Sequence, residues 1–149
     1  MSAADLVATT VAQSGWQSVY SKPELTVVEI SDGLQSGRTQ FVEIAFTPGL
    51  ITRYGAGTIP AMLQVRTRVM KRTGNHYDHD EADSLNCMAI LSNDFQPFGI
   101  ARIHPYYYVS CTTILDGLTP AVLMDLVLAA AAVGDQFELN LSAGGLDEF

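Results

Sequence analysis

Two histidines and four carboxylates crowd one short stretch of the chain, and these residue types are the ones best suited to chemistry. They are His76, Asp78, His79, Asp80, Glu81 and Asp83. Imidazole and carboxylate groups together can hold zinc, iron or manganese, and two histidines three residues apart can share one ion. The spacing matches no closed metal motif, and no third ligand is evident elsewhere. A solvated acidic loop is the simpler interpretation, and a metal-dependent enzyme or sensor using His76, His79 and Asp80 is the alternative function.

Other reactive side chains lack the neighbours that catalysis requires. His104 has no assignable partner that would orient it as a general base. Cys87 and Cys111 alternate with apolar residues in strand-like segments, which is typical of structural thiols. Gly55-Ala56-Gly57 resembles an anion cradle, but the lysine and serine or threonine of a phosphate-binding loop do not follow it. The sequence therefore predicts no catalytic residue, no cofactor and no enzymatic activity.

The charge balance opposes two classes of partner. The chain has 16 acidic and 8 basic residues and a net charge of −8. Nucleic-acid and anionic-membrane binding both begin with attraction to Lys and Arg, so neither partner is expected. Half of the basic residues lie in one short segment, namely Arg66, Arg68, Lys71 and Arg72. We interpret them as the solvated end of a helix, although an acidic or phosphate ligand stays possible there.

Size and composition indicate one domain over residues 1–149, because the chain is long enough for a core and no linker divides it. Only 16% of residues are charged against 48% hydrophobic, so some apolar surface is expected to be covered by a partner or a second copy. Residues 1–16 make a poor signal peptide, and no apolar run approaches the roughly 20 residues of a membrane span. Two reduced cysteines fit a cytoplasmic protein, although a disulfide between them stays open.

Periodicity and turn residues predict an α+β fold. Helices are expected at 3–14, from Thr58 to Gly74 and from Thr119 onwards, and strands at 24–31, 38–46, 85–92, 97–103 and 106–115, with a short third strand at 50–54 and a loop at 75–83. Short turns between strands favour an antiparallel sheet with helices packed mainly on one face. The expected order is α-β-β-(β)-α-β-β-β-α.

An aromatic run indicates a binding surface. If Tyr107 of the run Tyr106-Tyr107-Tyr108 points into the core, strand alternation sends Tyr106 and Tyr108 to the far face of the sheet. Phe41 is expected on the same face. Tyrosine is favoured in interfaces because it joins a large apolar area to a polar tip. We therefore predict Phe41, Tyr106 and Tyr108 as partner-binding residues, with a tyrosine ladder that only shields the strands as the alternative.

The order of elements and two short motifs resemble the YbjN family, bacterial domains similar in fold to type III secretion chaperones. The motifs are Leu118-Thr-Pro-Ala-Val-Leu, which opens the last helix, and Ala131-Ala-Val-Gly-Asp-Gln-Phe-Glu138 near its exit. The acidic segment 75–83 is a departure from that pattern. The resemblance implies a non-enzymatic domain, commonly dimeric, that binds a protein segment in a chaperone-like or regulator-like role. The expected function is thus a cytoplasmic, homodimeric protein-binding module.

Overall fold

The computed structural model describes residues 1–34, 37–51, 58–71 and 79–141. Its helices are α1 (Ala3–Ser14), α2 (His79–Asp94) and α3 (Pro120–Leu141). Its strands are β1 (Gln17–Lys22), β2 (Leu25–Ile30), β3 (Gln40–Thr47), β4 (Leu50–Ile51), β5 (Thr58–Ile59), β6 (Met62–Lys71), β7 (Gly99–Ile103) and β8 (Tyr106–Ile114).

Six strands form one antiparallel sheet in the order β1-β2-β3-β6-β8-β7, and β4 pairs with β5 separately. All three helices contribute to a single core on one face of this sheet, with Leu6 from α1, Met88 from α2 and Phe137 from α3. α3 is the central helix, because it contacts β3, β6, β8 and both other helices. The predicted α+β class and one-sided arrangement of helices are confirmed.

The first helix begins and ends where the sequence predicts. Ser2 caps it through a reciprocal capping box with Asp5, in which the Ser2 hydroxyl accepts from the Asp5 amide at 3.1 Å. The Asp5 carboxylate in turn accepts from the Ser2 hydroxyl and the Ser2 amide, and these two bonds lower the pKa of the carboxyl. Gly15 closes the helix in the left-handed region with φ 74°, which costs glycine no steric strain.

The predicted hairpin of strands 24–31 and 38–46 is confirmed as β2 and β3, which pair antiparallel from Leu25 opposite Ala45 to Ile30 opposite Gln40. The edge strand β1 was not predicted. All six of its residues are exposed, so its sequence carries no alternation of apolar and polar residues. The short third strand predicted at 50–54 is described only at Leu50–Ile51, where it pairs with Thr58–Ile59.

The predicted helix from Thr58 to Gly74 is wrong, because this segment contains β5 and the long strand β6. Residues of β6 alternate between half-buried and buried, and Leu63, Val65, Thr67 and Val69 are the buried set. A central position between β3 and β8 gives every second side chain a core contact, and β-branched residues favour such a strand. The cations Arg66, Arg68 and Lys71 consequently lie on a strand rather than at a helix end, and Arg72 lies outside the described residues.

The predicted strand at 85–92 is also wrong, since it is part of α2, and the backbone of 79–83 is helical where a loop was expected. Leu85, Met88 and Leu91 recur every three residues and pack on the core. Ile90 is the single β-branched residue of the segment, and its side chain is 67% exposed. Cys87 therefore lies on a helix and not on a strand, whereas Cys111 lies on β8 as expected.

The last helix starts as predicted, with the Thr119 hydroxyl accepting from the Val122 amide and Pro120 in the first position. Leu123, Ala130, Val133 and Phe137 are buried along it, and Asp125 and Gln136 are exposed. Across the described residues, no helix combines the length and apolar character that crossing a membrane would require. The strands predicted at 97–103 and 106–115 are confirmed as β7 and β8, so the observed order is α-β-β-β-(β-β)-β-α-β-β-α.

Candidate functional site: the open sheet face

The sheet has a second face on which none of the described helices packs, and we call it the open sheet face. The pairing of the strands places one row of side chains across this face. Glu29 pairs with Phe41, and Arg68 pairs with Tyr108. Because Val42 pairs with Thr67, their neighbours Phe41 and Arg68 also stand side by side. Side chains of paired residues point to the same face, so this row runs from β2 to β8 without a gap.

Apolar side chains are exposed on this face. Among described residues with large exposed apolar side chains, four lie on the open sheet face by register: Tyr20, Phe41, Ile103 and Ile114. Their exposed fractions range from 38% for Ile103 to 51% for Ile114. They lie on four different strands, and Phe41 is the one that stands beside Arg68 by register. Exposed apolar surface beside polar groups is a feature of surfaces that bind other proteins.

A carboxylate bound by two arginines lies at the centre of the face. Glu43 is only 6% exposed. Its Oε1 accepts from Arg66 Nη2 at 3.1 Å, and its Oε2 accepts from Arg68 Nε at 3.3 Å. Arg66 Nη1 also donates to Gln64 Oε1 at 2.7 Å. The carboxylate therefore holds both guanidinium groups in fixed positions on the sheet.

Two tyrosines of β8 complete this group, which we call the arginine–tyrosine cluster: Glu43, Arg66, Arg68, Tyr106 and Tyr108. The Arg68 guanidinium carbon lies 4.1 Å from the Tyr106 ring centre, and that of Arg66 lies 5.1 Å from the Tyr108 ring centre. Both distances are within the range of cation–π attraction. The open sheet face thus presents two arginines whose guanidinium groups are held by hydrogen bonds to Glu43 and by contact with the tyrosine rings.

The ionisation states of the cluster follow from its packing. Burial raises the pKa of the Tyr108 phenol, so the hydroxyl is protonated at neutral pH and accepts from Arg68 Nε at 3.2 Å. Burial opposes the charge of Arg68, but the hydrogen bond with Tyr108 and the charge of Glu43 outweigh it and raise the pKa of the guanidinium. Arg68 is therefore a permanent cation.

The predicted partner-binding residues share one face but differ in exposure. Phe41 is 40% exposed, and Tyr106 is half-buried beside Arg68. Tyr108 is only 3% exposed, because Arg66 and Arg68 cover its ring and hydroxyl. Tyr108 is consequently a support for the arginines, and its direct contact with a partner stays a prediction. Tyr107 is buried on the core face as expected.

Charge is distributed unevenly between this face and the rest of the chain. Lys22, Arg66, Arg68 and Lys71 lie on the open sheet face by register, and so do the carboxylates Glu29 and Glu43. Among the described residues, the face thus holds four cations and two carboxylates. An electropositive surface therefore stands on a chain whose net charge is −8.

A second polar cluster lies on the core face, where sequence reasoning did not find it. Arg38 donates through Nε to Asp135 and through Nη2 to Glu138 at 3.3 Å. The amide of Gln40 also donates to Glu138, at 2.6 Å, and accepts from the hydroxyl of Thr67 at 2.8 Å. Asp135 and Glu138 flank Phe137 in an otherwise apolar helix, which is the signal that could have revealed them. Because this cluster is enclosed between α3 and the sheet, it serves to pack the helix on the sheet.

An apolar groove separates α1 from the sheet near β1 and β2. Its volume is about 580 Å³, and it is lined by Ala4, Ala8 and Ala12 of α1 and by Thr26 and Phe46 of the sheet. Grooves of this size and apolar lining can receive a side chain or a small ligand. The groove is the second candidate surface of the molecule and lies on the face opposite Phe41.

The other chemistry-bearing residues do not assemble into a site within the described part of the chain. His76 and Gly55-Ala56-Gly57 lie outside the described residues, and for His79 and Asp80 the description extends to the backbone alone. In the part that is described, no group of three His, Cys, Asp or Glu side chains is placed to hold a metal ion. Cys87 and Cys111 are free thiols, and burial raises the pKa of Cys111, which disfavours a nucleophile there.

A scan of the chain against protein-family models finds no match, and a search among curated proteins finds no significantly similar relative.

Proposed function

We propose that the chain is a non-enzymatic protein-binding module that receives a partner protein on the open sheet face. One observation carries the proposal: six strands leave one face without any described helix, and that face exposes large apolar side chains beside oriented cations. Arginine and aromatic residues are the types most enriched where binding energy concentrates in interfaces. The proposed role is that of a chaperone-like or regulator-like domain, in keeping with the resemblance to the YbjN family.

The sequence-based expectation of a homodimer belongs to the same proposal but concerns a different surface. A second copy on the open sheet face would bring its own Arg68 and Lys71 against the same cations, and like charges there oppose association. A dimer formed elsewhere leaves the open sheet face accessible. We further propose that the module acts in the cytoplasm, and the free thiols of Cys87 and Cys111 support a reducing compartment.

Replacing Phe41 with aspartate tests the proposed function. We expect a protein captured from native lysate by the wild-type chain to be lost with Phe41→Asp, because the variant removes an apolar contact and places a carboxylate beside Arg68, where it competes with the partner. Phe41 is 40% exposed, so the fold should survive, and circular dichroism with thermal unfolding checks this. The readout is quantitative mass spectrometry of proteins captured at modest salt.

Two control variants make this result specific. Val122→Asp adds the same charge at an apolar side chain of α3 that is 48% exposed, and it should leave capture unchanged. Ala8→Glu obstructs the groove beside α1, where Ala8 is exposed. If Ala8→Glu loses the captured protein and Phe41→Asp retains it, the partner binds in the groove and not on the open sheet face. Capture that disappears with a chelator would instead support the metal-dependent alternative.

A further inference from the structure

We infer that the segment docking on the open sheet face is acidic, and that Arg68 and Lys71, which both neighbour Tyr106, receive its carboxylates. This inference rests on the proposed function and specifies the chemistry of the partner. Lys71 pairs with Tyr106, and Arg68 pairs with Tyr108, so both cations stand over β8 on the same face. The Arg68 guanidinium lies against the Tyr106 ring, 4.1 Å from its centre.

Unused hydrogen-bonding capacity of Arg68 supports the inference. Both side-chain hydrogen bonds that it makes within the described chain come from Nε, to Glu43 and to Tyr108. The two terminal nitrogens thus keep their donors, and they form the pair that binds a carboxylate in bidentate fashion. The side chain is 42% exposed, so an incoming carboxylate can reach these donors. Lys71 is exposed as well and enters no ion pair among the described residues.

The local charge balance favours an acidic partner. Of the carboxylates whose side chains the structure describes, Glu43 alone contacts Arg66 and Arg68, so one negative charge faces two guanidinium groups. With Lys71, the three cations exceed Glu43 by two positive charges, whereas the whole chain carries −8. Lys22 and Glu29 add one charge of each sign to the described face and leave this excess unchanged. An acidic segment is repelled by the rest of the surface and attracted here, which directs it to this face.

Apolar residues beside the cations argue for a protein segment over a free anion. Phe41 stands beside Arg68, and Ile103 pairs with Tyr106; both side chains are exposed. A phosphate ion would leave them in water, whereas an extended peptide with alternating acidic and apolar residues covers them and meets the cations at the same time. The occupant is therefore an acidic, apolar-containing segment of another protein.

Fluorescence anisotropy with a labelled synthetic peptide tests the inference. The probe is a 12-residue peptide, by design about half glutamate and half phenylalanine or isoleucine in alternation, and its matched partner carries glutamine for glutamate. We expect the glutamate peptide to bind the full chain at least about tenfold more tightly than the glutamine peptide. The double variant Arg68→Gln, Lys71→Gln should remove that preference, and added salt should weaken binding to the wild type.

Arg102→Gln is the control, because Arg102 is an exposed cation of β7 that pairs with Tyr107 and so does not belong to the open sheet face. This variant should retain the preference for the glutamate peptide.

Equal binding of both peptides, no binding of the glutamate peptide, or full competition by inorganic phosphate would each overturn the inference. Loss of the captured protein with Phe41→Asp but not with Arg68→Gln, Lys71→Gln would also overturn it and would leave the proposed function standing. If the protein is retained with Phe41→Asp, the proposed function fails independently of the peptide result. Dimerisation that Phe41→Asp abolishes would identify the occupant as a second copy and overturn the inference.

Discussion

Replacing Arg38 with methionine is expected to lower the free energy of unfolding by about 3–5 kcal/mol. Arg38 is the cation that contacts both Asp135 and Glu138, which are 6% and 3% exposed. Methionine retains much of the side-chain volume but removes the charge, so two carboxylates would stay enclosed without their cation. Urea unfolding of both proteins, followed by circular dichroism at one pH, measures the difference.

Two further variants show whether the loss arises from charge. Arg102→Met removes an exposed cation and should change the free energy of unfolding by less than about 0.5 kcal/mol. Adding Asp135→Asn to Arg38→Met neutralises one enclosed carboxylate and should recover part of the lost stability. A loss below about 1 kcal/mol for Arg38→Met would contradict the assigned role, because a surface ion pair contributes no more than that.

The best-predicted elements are those whose ends are encoded locally. The helix 3–14, the strands of the first hairpin and the start of the last helix all carry cap or turn residues, such as Gly15, Gly33 and Pro120. These signals act within a few residues and need no tertiary partner. They therefore allowed the first helix, the start of the last helix and the α+β class to be predicted correctly.

In the two elements that were predicted wrongly, the spacing of the apolar residues fits a helix as well as a strand. Met62, Val65 and Val69 match a helix, but Leu63, Val65 and Val69 also match a strand, and the flanking strands β3 and β8 decide the outcome. Those partners are distant in sequence, so no local signal reports them. The segment 85–92 failed in the opposite direction, because its apolar run holds a single β-branched residue, Ile90, and such residues are the ones that favour strands.

The candidate site was predicted where it depends on strand alternation and missed where it depends on pairing between distant strands. Alternation alone put Phe41, Tyr106 and Tyr108 on one face. The cluster of Glu43 with Arg66 and Arg68 could not be predicted once β6 was interpreted as a helix. Arg38 and Asp135 are 97 residues apart, and only the folded chain brings them together.

The two polar clusters lie on opposite faces of the same strands. The buried cluster stabilises the fold, and the arginine–tyrosine cluster belongs to the proposed binding surface. Gln40 and Thr67 point to the core face, where Thr67 donates to Gln40 and Gln40 donates to Glu138 of α3. Their neighbours Phe41 and Arg68 point to the open sheet face. A shift of one residue in the β3–β6 register would disrupt both clusters, since it would exchange the faces of every side chain. The buried cluster thereby fixes the register that places the cations of the proposed binding surface.

Replacing Gly134 with alanine is expected to destabilise the protein by about 1–3 kcal/mol, although alanine is the better helix former. Gly134 lies in the middle of α3, and a Cβ there would overlap the Cγ2 of Thr67 on β6. Thr67 cannot rotate away freely, because its single hydroxyl proton is shared between Gln40 Oε1 and the Phe41 carbonyl oxygen. Close packing of the helix on the sheet therefore requires glycine at this position.

Thr67→Ser is the matched second change, since it removes Cγ2 and retains the hydroxyl that binds Gln40. In urea unfolding, Gly134→Ala should cost less in the Thr67→Ser background than in the wild type, with a coupling energy of about 1 kcal/mol or more. Ala132→Gly at an exposed position of the same helix should lose about 1 kcal/mol, which reports helix propensity alone. If Gly134→Ala instead raises the free energy of unfolding, helix propensity outweighs the contact with Thr67. α3 would then have room to move away from β6, and the buried cluster would no longer be expected to fix the β3–β6 register.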